Sequence, residues 1–271
     1  ARVAVTGGGA YGPNREGDSA VEAVILVALA FLLGGVLKGA IGAGAPLAAV
    51  PALSLIYSVP FAVAVFVAPN VISNLIQIWQ YRGHRPRGAL VWLFAAAGAA
   101  GALTGTFALV SLDGDVLKTG VAIVIGLYLV FRLFRPTAKL ALGPATWLSA
   151  PVGFVAGILQ GASGVSAPVS VTFLSIVRLD RETFIVTIAV FFIAMGVVQA
   201  PTLIAMGLLD WRTGGLSLLA VLPLLAGMPL GEAIIRRVSR QWFDRLIMLV
   251  LAVMAVMLVV STQFPASAAT G

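Results

Sequence analysis

Long apolar stretches, separated by short polar connections, repeat along this chain from residue 20 to residue 260. They fall at 20–38, 46–58, 60–80, 89–110, 116–134, 145–160, 167–178, 183–206, 213–234 and 241–260. About 20 apolar residues in a helix rise far enough to cross the ~30 Å hydrocarbon core of a bilayer. The pattern therefore predicts an all-α polytopic membrane protein. Two stretches, 46–58 and 167–178, are too short to cross and are expected to be the return arms of helical hairpins. Each follows a run so rich in glycine and proline that a helix continues through it poorly.

Composition supports this class. Of 271 residues, 60% are hydrophobic and 10% charged, against roughly 45–50% and 25% in soluble domains. The net charge of +7 does not point to nucleic acid, because the basic residues sit at segment boundaries and not on one polar face. Twelve of the 17 fall in four connections: Arg82, Arg85 and Arg87; Arg132, Arg135 and Lys139; Arg178 and Arg181; Arg236, Arg237, Arg240 and Arg245. The positive-inside rule puts these connections in the cytoplasm, and Asp113, Asp115 and Asp210 then face outward. With that assignment the pairs 20–38/46–58 and 145–160/167–178 must each start and finish on one side. The expected fold is two inverted-topology repeats, each a re-entrant or broken-helix hairpin followed by three transmembrane helices. Its parts are a flexible tail over 1–19, repeats over 20–140 and 141–260, and a tail over 261–271. Both termini are expected on the non-cytoplasmic side of the cell inner membrane.

The chemistry suggests transport and not catalysis. The chain has no cysteine, and its one histidine, His84, lies in a basic loop with no carboxylate near it in sequence. That leaves no nucleophile–base pair and no metal-ligand set, so neither a catalytic residue, nor a metal, nor a cofactor is expected. The segment Lys38-Gly39-Ala40-Ile41-Gly42-Ala43-Gly44-Ala45-Pro46 aligns with Gln160-Gly161-Ala162-Ser163-Gly164-Val165-Ser166-Ala167-Pro168, 122 positions later. Gln77 then aligns with Gln199 and Gly105 with Gly227, as an internal duplication requires. Pro46 and Pro168 suit helix starts, where unpaired N–H groups and the positive end of the dipole attract anions.

The candidate anion site is therefore Lys38, Gly39, Gly42, Ala43, Gly44 and Ala45 from the first turn, with Gln160, Gly161, Ser163, Gly164, Val165 and Ser166 from the second. Two readings are open for Lys38. It is a binding cation inside the membrane, where a charge costs about 2.5–3.5 kcal/mol on insertion scales, or it snorkels to an interface. Asn70, Asn74, Gln77 and Gln199 are amides that either donate to the anion or bond neighbouring helices. Glycines at 34, 35, 98, 101, 105, 227 and 231 are expected to let helices pack closely, and the five tryptophans to anchor segment ends.

The Gly-x-x-x-Lys/Gln-Gly-Ala-x-Gly-x-Gly/Ser-Ala-Pro turn, at Gly34 to Pro46 and again at Leu159 to Pro168 with its own Gly157, resembles that of the sulfite-exporter TauE/SafE family of membrane permeases. The resemblance covers nearly all of residues 20 to 260. It implies export or exchange of a small sulfur-containing anion such as sulfite, sulfoacetate or another organosulfonate. The alternatives are a channel or permease for another small anion or for a metal cation. The expected partners are the anionic substrate and the lipid bilayer, with no nucleic acid; a homodimer is left open.

Overall fold

The computed structural model describes residues 15–84, 88–134, 140–177 and 179–237, and beyond them positions 248, 252, 256, 259 and 260. The described residues form helices and the turns between them, with no strand. In chain order the helices are α1 (Arg15–Ile41), α2 (Ala45–Ile56), α3 (Val59–Gln80), α4 (Ala89–Ser111), α5 (Gly114–Phe134), α6 (Leu142–Ser163), α7 (Ala167–Val177), α8 (Arg181–Ala205) and α9 (Trp211–Arg237). All nine follow the apolar stretches read from the sequence. Most of the predicted span 241–260, both chain ends, Trp242, and Arg85, Arg87, Arg135, Lys139, Arg178, Arg240 and Arg245 lie outside the described residues.

Six helices contain a window long and apolar enough to cross a membrane: Val24–Ile41 in α1, then α3, α4, α6, α8, and Trp211–Ile234 in α9. The helices α2 and α7, of 12 and 11 residues, rise only about 17–18 Å and remain short arms. Length and hydropathy thus make this a multi-pass membrane protein. Trp79, Trp92, Trp147 and Trp211 are exposed close to helix ends, as interfacial anchors are.

The breaks are shorter than the sequence predicts. Helix α1 runs on through Lys38, Gly39, Ala40 and Ile41, and α6 through Gly161, Ala162 and Ser163. Only 42–44 and 164–166 leave the helix. The reason lies in the neighbours. A Cβ on Gly39 would overlap the Met228 carbonyl of α9, and one on Gly161 the Ala102 carbonyl of α4. These two glycines serve a helix crossing and the turn falls to the next glycine in each motif.

Helix α1 packs along α9 and α6 along α4, each pair running parallel. Gly35 and Gly39 meet the backbone of Leu224 and Met228, and Gly157 and Gly161 meet that of Gly98 and Ala102. From the other side, Gly227 and Gly231 touch the Leu32 and Val36 carbonyls, as Gly101 and Gly105 touch those of Phe154 and Ile158. The packing glycines expected from the sequence therefore do pack. The contacts match Gly105 with Gly231 and Gly101 with Gly227, one helical turn from the sequence alignment of Gly105 with Gly227. The second half therefore carries four extra residues ahead of the α9 glycines. The remaining contacts repeat too: α1 on α2 and α6 on α7, α3 on α9 and α4 on α8, with α3 against α8 between them.

Three connections gather at one end of the bundle. The Leu140 N–H donates to the Ile176 carbonyl at 2.9 Å, joining the α5–α6 connection to the end of α7. Asp180, before α8, lies within electrostatic reach of His84, between α3 and α4. Asp180 caps α8 by accepting from the Thr183 N–H at 2.9 Å, and Asp210 accepts from the Thr213 N–H at 2.8 Å at the start of α9. These backbone bonds, foremost, hold both carboxyls below the usual carboxylate range. A carboxyl whose folded pKa is depressed contributes stability above its unfolded value, near 3.9, and loses it as pH falls through the folded one. The starts of α8 and α9 are expected to loosen below about pH 4. Amide exchange at Thr183 and Thr213 checks this, and Asp180→Asn and Asp210→Asn should remove the pH dependence while keeping the cap.

Candidate functional site

Each turn is built by a glycine in the left-handed region, Gly42 at φ 79° and Gly164 at φ 71°, where a side chain is strained. Their N–H groups close the preceding helices, donating to the carbonyls of Lys38 at 2.7 Å and Gln160 at 2.8 Å. The chain then restarts as α2 and α7, with Pro46 and Pro168 at the second helical position. Two of the backbone donors expected to face a ligand are occupied. The Leu47 N–H bonds the Gly44 carbonyl at 3.0 Å and the Val169 N–H bonds that of Ser166 at 3.1 Å. Proline in the first turn lets the helix begin without an idle N–H, and the next residue closes on the residue before the helix.

The first turn carries a charge. Lys38 is 2% exposed, and its Nζ donates to Asn74 Oδ1 at 2.7 Å. Asn74 in turn donates from Nδ2 to the Asn70 carbonyl at 2.7 Å and to Asn70 Oδ1 at 2.9 Å. Nζ also lies 5.9 Å from the centre of the Phe192 ring on α8. Asn74 stands about 9 Å of helix rise from the nearer end of α3 and Phe192 about 16 Å from the nearer end of α8, at ~1.5 Å per residue. Lys38 is thus inside the bundle and does not reach an interface. Among the described residues it is the one charged side chain that is buried, and no carboxylate pairs with it.

The second turn is polar and neutral. Gln160 is 1% exposed. Its Oε1 accepts from Ser166 Oγ at 3.0 Å, and its carbonyl accepts from Gln199 Nε2 at 3.4 Å. Ser163 Oγ donates to the Leu159 carbonyl at 2.7 Å and accepts from the Val165 N–H at 3.4 Å. Both serine hydroxyls, expected as donors to a ligand, are therefore committed to internal acceptors.

The second turn packs against the return arm of the first hairpin. A Cβ on Gly164 would stand 3.1 Å from Val50 of α2, one turn beyond Pro46, and 3.2 Å from Val63 of α3. Gly42 faces Ile185 of α8 in the same manner. Asn70 and Asn74 join the lysine directly and Gln199 joins Gln160, whereas Gln77 bonds to none of the candidate residues. It is 3% exposed, and its Oε1, like the hydroxyl of Thr187, has no hydrogen-bond partner among the described residues. Buried oxygens of this kind are rare in folded proteins and ask for a donor. Reading the sequence alone misses Phe192 and Thr187. Phe192 could have been found, since it occupies the place of Asn70 in the internal alignment.

Six helices long and apolar enough to cross a membrane, two broken hairpins and a buried lysine beside the first break make this a multi-pass membrane protein. Residues 26–258 match the family model described as sulfite exporter TauE/SafE, and the chain belongs to that family. No curated protein and no solved structure matches it.

Proposed function

We propose that this transporter carries a small sulfur-containing anion, sulfite or an organosulfonate, across the cell inner membrane, between two halves of opposite topology. The observation that carries the reading is the buried Lys38 ammonium with an amide partner and no carboxylate. A buried charge is tolerated when it is paired, and an anion seated between the turns supplies the pair. The recurrence of the same helix contacts in each half supports the inverted repeat, and the gathering of the basic connections at one end supports its placement with both termini outside. Lys38, Asn74 and the donors of the two turns hold the anion, with Ser163 exchanging its internal acceptor for it while Ser166 stays on Gln160. Access alternates as one bundle rocks against the other. With the cell interior negative, export of each anionic charge gains about 2.3 kcal/mol per 100 mV.

The experiment is efflux from proteoliposomes loaded with labelled sulfite, with chloride and a divalent cation as comparisons. Asn74→Asp is the diagnostic variant. It places a carboxylate on the Lys38 ammonium and fills the anion's place. Sulfite efflux is expected to fall at least tenfold, the effect of about 1.4 kcal/mol, with the melting temperature unchanged or raised. Unchanged efflux from this variant, or transport of the divalent cation instead, would remove the proposed site.

A further inference from the structure

We infer that the site takes anions of a single negative charge, and that Gln160 is the residue that sets this limit. The inference rests on the proposed anion site and concerns which anions it admits. The two hairpins carry aligned positions beside their breaks, Lys38 near the end of α1 and Gln160 near the end of α6. One is a cation and the other a neutral amide, and both are buried, at 2% and 1% exposure.

The amide position is not a vacancy awaiting a charge. Gln160 Oε1 is held by the Ser166 hydroxyl, which has no counterpart in the first turn because Gly44 stands there. Its carbonyl is held by Gln199 and by Gly164. The second turn is therefore built around a neutral side chain, through a serine that only this turn possesses.

Charge counting then decides the ligand. Among the described residues Lys38 supplies the whole buried charge of the bundle. A monoanion brings that charge to zero. A dianion leaves one negative charge with no partner in a region of low dielectric, where uncompensated charge is strongly disfavoured. Hydrogensulfite and sulfonates with an uncharged remainder fit this count. The sulfite dianion, sulfate and sulfonates bearing a second carboxylate do not. The same count makes Gln160→Lys the change that should admit the second charge.

The test uses the full-length protein in proteoliposomes at pH 7.5, with equal potassium on both sides and valinomycin present so that no membrane potential favours either charge state. The tracers are ethanesulfonate, a monoanion, and sulfoacetate, a dianion of similar size. Wild type is expected to take up ethanesulfonate at least ten times faster than sulfoacetate, and Gln160→Lys to shift that ratio toward sulfoacetate by tenfold or more. In detergent, ethanesulfonate should raise the melting temperature of wild type and sulfoacetate should not; this comparison decides the matter alone if Gln160→Lys does not fold. Equal handling of both tracers by wild type, or an unchanged ratio in a folded Gln160→Lys, overturns the charge limit and leaves the anion site standing. If wild type neither transports nor is stabilised by either tracer, the anion site itself is wrong and the charge limit falls with it.

Discussion

Replacing Lys38 by methionine is expected to lower sulfite transport at least tenfold while leaving the protein as stable as before or more so. Methionine keeps most of the volume and the flexible apolar stem. What goes is the ammonium, and with it the one buried charge among the described residues. The Asn74 oxygen that accepted from Nζ at 2.7 Å loses that donor, a penalty of about 1–3 kcal/mol. Against this stands the cost of keeping a charge within the membrane, about 2.5–3.5 kcal/mol on insertion scales. The two nearly cancel, so stability should hold. A lysine whose task is to tie α1 to α3 would behave in the opposite way, with the melting temperature dropping and residual transport following the amount of folded protein. Measuring melting in detergent beside efflux from liposomes separates these outcomes. Full efflux from Lys38→Met would dispose of the lysine as a binding group.

The largest structural effect is expected at the helix crossings. Gly39→Ala adds a single methyl group, yet its Cβ would overlap the Met228 carbonyl and stand 2.9 Å from the Met228 Cα. Gly161→Ala does the same at the equivalent crossing, against the Ala102 carbonyl and 2.6 Å from the Thr106 nitrogen. Backbone cannot rotate away as a side chain does, so the helices must separate and lose contacts along the whole crossing. Overpacking typically costs about 1–3 kcal/mol, and these sites belong at the upper end because the obstacle is main chain on a packed helix. The comparison is Gly126→Ala in α5, where nothing lies within 4 Å of the added carbon. There, alanine should be neutral or stabilising, by up to about 1 kcal/mol from helix propensity. Thermal melting of the three variants checks the contrast, which disappears if the crossings are looser than described.

The helices themselves could be read from the chain. Their lengths follow from the bilayer, which demands about 20 apolar residues per crossing, and their ends from charges, prolines and glycines that interrupt the pattern. The short arms α2 and α7 declared themselves by length, and the aligned motifs at Lys38 and Gln160 located both breaks to within a few residues.

The site was legible in outline only. That Lys38, Gly42, Gln160 and Gly164 belong to two related turns comes from residues near each other in sequence, where pattern carries the information. Local pattern could not say which glycine breaks the helix. Gly39 and Gly42 differ only in what stands opposite them, and for Gly39 that is α9, some 190 residues further on. Nor could it assign the lysine's partner, because Asn74 competes with Asn70 and Gln77 on the same face of α3 until packing brings one of them within 2.7 Å of Nζ. The hydroxyls of Ser163 and Ser166 looked free on paper, and folding gave them internal acceptors. Sequence by itself determined the segments and, to within a few residues, the breaks, since these depend on composition and on spacing along one helix; that Lys38 is buried came from the structure. The tertiary structure alone decided which groups meet that charge and which glycines bear a neighbouring backbone. Those are distances between helices, and only their packing sets them.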